Sequence, residues 1–273
     1  MNLSLEELLL EIKKWYNGYS WNAKDFVYNP FSFLSFLEQK SFKNFWFSTG
    51  TPTFLTKLLV RNQQYALNNL IAGSNSFETS NLANLDFTSV LLQTGYLTLK
   101  QDEGFGMYSL DFPNLEVQDS FSQYLLAEYT HQYSGQIQSL VFQLYKSLKE
   151  LKITDFMSIL KTLFSSIPSE IFLSRREAYY HSIIFLTLKL LGFFILSEVR
   201  HAKGRLDAIV FFPNTIFIFE FKLNKSPAIA IAQIKEKGYA NPFLKDGKSI
   251  YLIGINLNSD NKDELEYATE QLL

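Results

Sequence analysis

The chain has 273 residues, enough for one large domain or two ordinary ones, and at 47% hydrophobic against 19% charged it can bury a substantial core. It has no cysteine, which excludes disulfides, zinc–thiolate centres and cysteine nucleophiles and fits a reducing compartment. The net charge of −2 argues against a surface that holds polyanions by charge alone, yet from Glu198 to Ile250 nine Lys/Arg stand against five Asp/Glu.

Residues 1–70 read as helices broken by aromatic segments. Leu5, Leu8, Leu9 and Ile12 recur at helical spacing. In Trp15-Tyr16-Asn17-Gly18-Tyr19 the Asn-Gly pair predicts a turn. Val27-Tyr28-Asn29-Pro30 is a second break, and Pro30 suits the first turn of a helix over Phe31 to Glu38. A helix over Thr88 to Gln93 then leads into a strand-like run, Tyr96 to Lys100. Gly104 and Gly106 supply a turn, and Met107 to Phe112 returns antiparallel, which makes a small winged helix-hairpin unit. Helical stretches follow over Val117 to Tyr133 and over 136–165.

From 170 onward the order predicted is α-β-β-β-α-β. Arg176 to Leu191 is a helix with Gly192 as its C-cap, and Phe193 to Val199 is a strand. Leu206 to Phe212 and Thr215 to Leu223 form a hairpin about Pro213-Asn214. Ser226 caps a helix from Pro227 to Tyr239, and Ser249 to Ile255 closes the sheet. The expected class is therefore mixed α/β, in three parts: 1–115, a helical connector over 116–168, and 169–273. The first residues carry Glu6 and Glu7 where a secretion signal carries bases. The apolar run from Ser182 to Leu196 is short for a membrane span and is interrupted by Lys189. A cytoplasmic protein with no membrane partner is expected.

The hairpin gathers the chemistry. If its turn is symmetric about Pro213-Asn214, paired residue numbers sum to 427, so Asp207 lies opposite Glu220. Directly opposed side chains share a face, with Cβ atoms roughly 5 Å apart. Lys222 and its cross-strand partner Arg205 fall on that face too, while Phe217, Phe219 and Phe221 point to the other. Two opposed carboxylates in so apolar a run need a reason. Mg²⁺ or Mn²⁺ would supply one, since a hard cation takes carboxylate, water and phosphate oxygens. Lys222 could then orient water or meet developing negative charge. A salt-bridge cluster of Arg205, Asp207, Glu220 and Lys222 explains the spacing equally well.

Gly204-Arg205-Leu206-Asp207, twelve residues, then Glu220-Phe221-Lys222 resembles the signature of PD-(D/E)XK phosphodiesterases. Ala232-Gln233-Ile234-Lys235-Glu236-Lys237-Gly238-Tyr239 is similar to the Gln/Lys/Tyr-bearing helix of one branch. Arg176-Glu177-Ala178-Tyr179-Tyr180-His181 and Ser197-Glu198-Val199 complete a resemblance over about 170–256 to a bacterial family in which such a domain follows an AAA-ATPase-like one. The resemblance implies a restriction-endonuclease-like fold. In it Asp207 and Glu220 bind metal, Lys222 is the catalytic lysine, and Glu177 completes the acidic site as ligand or base. Gln233 orients the site or touches phosphate, and Arg205, Lys237 and Tyr239 contact nucleic acid. His181 shares a helix face with Glu177 and is read as a hydrogen-bonded core histidine.

Segments of the first 117 residues, including Trp15 to Tyr19, Phe45 to Thr51, Leu92 to Leu97 and Phe112 to Val117, resemble the region that follows the nucleotide-binding core in that family. The chain has no G-x-x-x-x-G-K-[ST]. Its Gly247-Lys248-Ser249 has Pro242 where the first glycine belongs and precedes a strand rather than a helix. No ATP site is expected, and the chain reads as the C-terminal part of a longer ancestor. The leading expectation is a metal-dependent nuclease acting on DNA, partnered by a separate ATPase or by further copies of itself. The alternative is a non-catalytic nucleic-acid-binding or assembly module that keeps the nuclease fold.

Overall fold

The structure, a computed structural model, describes residues 3–49, 53–62, 64, 67, 69–77, 87–167, 176–191, 200–201, 204–205, 208–258, 261 and 264–272. Two units divide the chain, Met1–Leu125 and Leu126–Leu273.

In the first unit, helix α1 (Leu5–Tyr16) begins with a reciprocal cap. Ser4 Oγ accepts from the Glu7 N–H while the Glu7 carboxylate accepts from the Ser4 N–H. These bonds hold the Glu7 carboxyl below its usual range. The α1 face that packs is Ile12 and Tyr16, against Phe36 and Phe45. Asn17-Gly18, expected as a turn, is instead part of strand β1 (Asn17–Tyr19), paired antiparallel with β2 (Val27–Tyr28). Gly18 sits at φ +130°, and a Cβ built there would lie 1.9 Å from the Pro113 carbonyl oxygen. The glycine therefore serves a close backbone approach, which the local sequence does not reveal.

Helix α2 (Pro30–Gln39) starts as expected, with Asn29 accepting from the Ser32 N–H and proline in the first turn. Helices α3 (Thr53–Arg61) and α4 (Phe87–Gln93) follow. The predicted hairpin is present as β4 (Thr98–Gly104) and β5 (Met107–Asp111), and β3 (Leu70–Gly73) adds a third strand in the order β3-β5-β4. Helix α5 (Leu115–Thr130) carries Glu116, which is fully buried. Its Oε1 accepts from Ser32 Oγ (3.0 Å), Phe45 N (2.7 Å) and Trp46 N (2.9 Å), tying α2 and the 45–46 segment to α5. Burial pushes this carboxyl up, and the three hydrogen bonds pull it back.

The second unit has helices α6 (Ser134–Lys149), α7 (Ile153–Ser165) and α8 (Arg176–Leu190). Short strands β6 (Arg200–His201) and β7 (Gly204–Arg205) pair with each other. The main sheet contains β8 (Ala208–Phe211), β9 (Thr215–Leu223), β10 (Ser249–Leu257) and β11 (Leu265–Leu272), in the order β11-β10-β9-β8. Helix α9 (Pro227–Lys237) joins β9 to β10, which run parallel; the other two pairings are antiparallel. A parallel pair needs such a crossover, and Ser226 and Gly238 cap it at its two ends. Strand β10 does not close the sheet as expected, because β11 pairs along its whole length.

Strand β9 reads Thr-Ile-Phe-Ile-Phe-Glu-Phe because helices lie on both of its faces. Ile216 and Ile218 pack with Ile231, Ile234 and Tyr239 from α9 and the turn after it. On the opposite face Phe219 meets Phe156 of α7 with ring centroids 5.7 Å apart. No helix among the described residues is long and apolar enough to cross a membrane.

Candidate active site

The hairpin register is the one the turn predicts. Phe211 pairs with Ile216, Val210 with Phe217, Ile209 with Ile218 and Ala208 with Phe219, each pair summing to 427. The Phe212 N–H donates to the Thr215 carbonyl at 2.7 Å, so Pro213-Asn214 form a two-residue turn. The pair expected at the next step is Asp207 with Glu220, beyond the last pair described, Ala208 with Phe219. Asp207 lies outside the described residues, as do Gly192, the strand expected over Phe193 to Val199, and Leu206.

Glu220 lies on the α9 side of β9 and is 2% exposed. Two donors meet on its Oε1. Lys222 Nζ, two residues on along the same strand face, is 2.6 Å away, and Gln233 Nε2 reaches it from α9. The Lys222 side chain is 15% exposed, so its ammonium keeps a path to solvent while its partner is enclosed. A carboxylate that accepts two hydrogen bonds, one from an ammonium, is held in one orientation.

Strand β10 completes this edge of the site. In its parallel register Gly254 stands beside Glu220 and Asn256 beside Lys222. Asn256 is 7% exposed. Its Oδ1 accepts from the Lys225 N–H at 2.8 Å and its Nδ2 donates to Glu266 Oε2 at 3.2 Å. Asn256 thus holds the turn that leads into α9. Neither β10 position was singled out from the sequence, although a polar residue closing an apolar strand is a signal.

The other expected residues distribute as follows. Glu177 lies in the first turn of α8. Lys237 ends α9, one turn beyond Gln233, and is half-buried. Tyr239 is fully buried in the apolar core with Ile234 and Ala240, whereas the resemblance put it at phosphate. Arg205 is paired in the described structure with Arg200 of β6, and the β10 neighbour of Lys222 is Asn256. Among the described residues no group of three or more Asp, Glu, His or Cys side chains converges.

Comparison with known proteins adds two findings. Residues 175–266 match the PD-(D/E)XK nuclease superfamily. The chain is also 32% identical, over 273 residues, to an uncharacterized protein in the vnfD 5′ region of Azotobacter chroococcum mcd 1. That alignment covers 96% of this chain and 52% of the relative, so the chain spans about half the length of the curated relative it matches.

Proposed function

We propose that the second unit is a metal-dependent phosphodiesterase acting on nucleic acid, with DNA as the substrate to test first. The observation that carries this is Glu220, enclosed in the sheet and gripped by Lys222 and Gln233 within the segment that matches a nuclease superfamily. The donor chemistry fits a hard divalent cation. Glu220 supplies carboxylate oxygen, and the resemblance to PD-(D/E)XK phosphodiesterases offers Asp207 as the opposing ligand, with Glu177 as a third. Such a cation, Mg²⁺ or Mn²⁺, would supply Lewis acidity at a phosphate oxygen and a more acidic water.

The chain's own residues then have separable tasks. Gln233 fixes the rotation of the Glu220 carboxylate. Lys222 presents its ammonium at the solvent-facing end of the strand, where it can meet negative charge that builds on phosphate. Lys237 and Arg205 provide positive charge for the backbone of the substrate. Incubation of plasmid and linear DNA with Mg²⁺ or Mn²⁺ tests the reading. Cleavage is expected from the unaltered chain, and Asp207→Ala or Glu220→Ala variants with undiminished cleavage would overturn it.

One observation favours a second reading. The 2.6 Å ion pair between Lys222 and Glu220 already neutralises the carboxylate, as a purely structural pair would. The unit would then be a nucleic-acid-binding or assembly module. Calorimetry separates the two: DNA binding without Mg²⁺ or Mn²⁺ binding supports the module. The resemblance of the first 117 residues to a segment that follows a nucleotide-binding core makes a separate ATPase, or further copies of this chain, the partner to seek.

A further inference from the structure

We infer that Gly254 is a positioning residue of the site: its missing side chain lets α9 settle close enough to β10 for Gln233 to reach Glu220. The inference rests on the nuclease reading for its catalytic consequence but not for its geometry.

Gly254 lies within an apolar strand where any β-branched residue would be favourable, and its φ is not in the left-handed region. Backbone freedom therefore does not explain it. Space does. A Cβ built there would fall 2.4 Å from the Pro227 carbonyl oxygen, 2.9 Å from Ala230 Cβ and 3.2 Å from Ile231 Cγ1. All three belong to the first turns of α9, and the first contact is backbone, which cannot swing aside. A methyl group at this position must lift the helix.

The position matters because of what lies on either side. Across the parallel ladder Gly254 is the direct partner of Glu220, and residues paired in this way project to the same face. On the helix, Ala230 precedes Gln233 by three residues, so the contact and the donor are neighbours on one helical face. The carboxylate, the gap and the amide thus lie in one row, and the width of the gap sets the reach of the amide. Leu252 and Ile250 on the same face of β10 carry ordinary side chains, buried in one cluster with Ile231, Ile234 and Tyr239. Asn256 contributes by holding the Lys225 N–H, which fixes where α9 begins.

The test uses the full chain and compares Gly254→Ala, Gln233→Ala, their combination and Glu220→Gln. The first readout is the side-chain amide resonance of Gln233 in ¹H–¹⁵N spectra, which does not depend on activity. In Gly254→Ala it should move to the position seen in Glu220→Gln, where the charged acceptor is gone. An unmoved resonance in a folded Gly254→Ala variant overturns the inference.

Cleavage supplies the second readout. Gly254→Ala should lose about ten- to a hundredfold, the range for residues that orient a ligand. The loss should not add to that of Gln233→Ala, whereas a general loss of stability would add. If Gly254→Ala does not fold, Ala230→Gly is added to relieve the side-chain contact while the Pro227 carbonyl contact stays. A chain that then folds with the Gln233 resonance displaced supports the positioning role; one that folds with the resonance unmoved, or that still does not fold, overturns it. A shifted resonance in a chain that never cleaves DNA leaves the positioning intact and removes the nuclease reading.

Discussion

Gln233 and Lys222 donate to the same oxygen of Glu220, one from a helix and one from the strand that carries the carboxylate. The strand sets where Lys222 lies, because side chains two residues apart share a face. The helix sets where Gln233 lies, and only through its packing. The two bonds therefore respond differently to mutation.

Lys222→Met leaves a buried carboxylate that has lost its cation. The second unit should lose about 2–4 kcal/mol, because an uncompensated buried charge costs more than the pair contributes. Lys222→Met with Glu220→Gln should recover a good part of that. Hydrogen exchange of the β9 amides reads both variants, and equal protection in Lys222→Met and the unaltered chain would show that the pair carries no such weight.

Glu116 should behave as the keystone of the first unit. Glu116→Ala removes the acceptor for the Ser32 hydroxyl and for two backbone N–H groups at once. A loss of about 3–5 kcal/mol is expected, with Glu116→Gln losing less because an amide oxygen still accepts. All three tryptophans, Trp15, Trp21 and Trp46, belong to this unit, so their fluorescence in urea isolates it.

Gly18→Ala should be among the most damaging single-methyl additions. The new Cβ meets a carbonyl at 1.9 Å and the backbone holds a glycine conformation. Overpacking and backbone strain together predict a loss of about 3–5 kcal/mol. Gly73→Ala in β3 of the same unit, where a Cβ meets nothing nearer than Met107 Sδ at 3.5 Å, is the control and should be close to neutral. The same tryptophan signal follows Gly18→Ala, and a midpoint unchanged from the parent chain would refute the close-approach reading.

Acid should strengthen the first unit over a defined window. Burial pushes the Asp119 carboxyl up to about 6, with the Gln123 hydrogen bond pulling the other way. In the unfolded chain an aspartate titrates near 3.9. Between about pH 4 and pH 6 the folded state therefore holds more protons than the unfolded one, so stability falls as pH rises and then levels off. Asp119→Asn should flatten that slope and raise stability at pH 7 by about 1–3 kcal/mol. Urea midpoints at pH 4.5, 6 and 7.5 would decide it.

Much of the site face was legible because a two-residue turn fixes a register. Pro213-Asn214 locate the centre of the hairpin, and arithmetic then places every pair along β8 and β9. Helix α9 was equally plain from Ser226, Pro227 and Gly238. What local patterns miss is anything decided by a distant neighbour. Asn17-Gly18 has turn chemistry, yet it is a strand because β2 pairs with it and Pro113 presses on it. Leu5 and Leu9 correctly predict a helix, but they are 72% and 56% exposed, since periodicity identifies a helix without saying which face is covered. Strand β11 is missing from the expected α-β-β-β-α-β order because its strand character lies in pairing with β10, not in its composition. Gly254, a lone glycine in an apolar strand, signals a close approach without saying to what.

Glu220, Lys222, Gln233, Gly254 and Asn256 all come from one stretch, a single strand–helix–strand turn of the chain. Contacts between residues so near in sequence form with little loop entropy to overcome. Glu220, Gln233 and Gly254 should therefore gain their mutual order in one step as this unit folds. In native-state exchange, β9, α9 and β10 would open and close together as one cooperative block, and the grip on Glu220 would exist either whole or not at all.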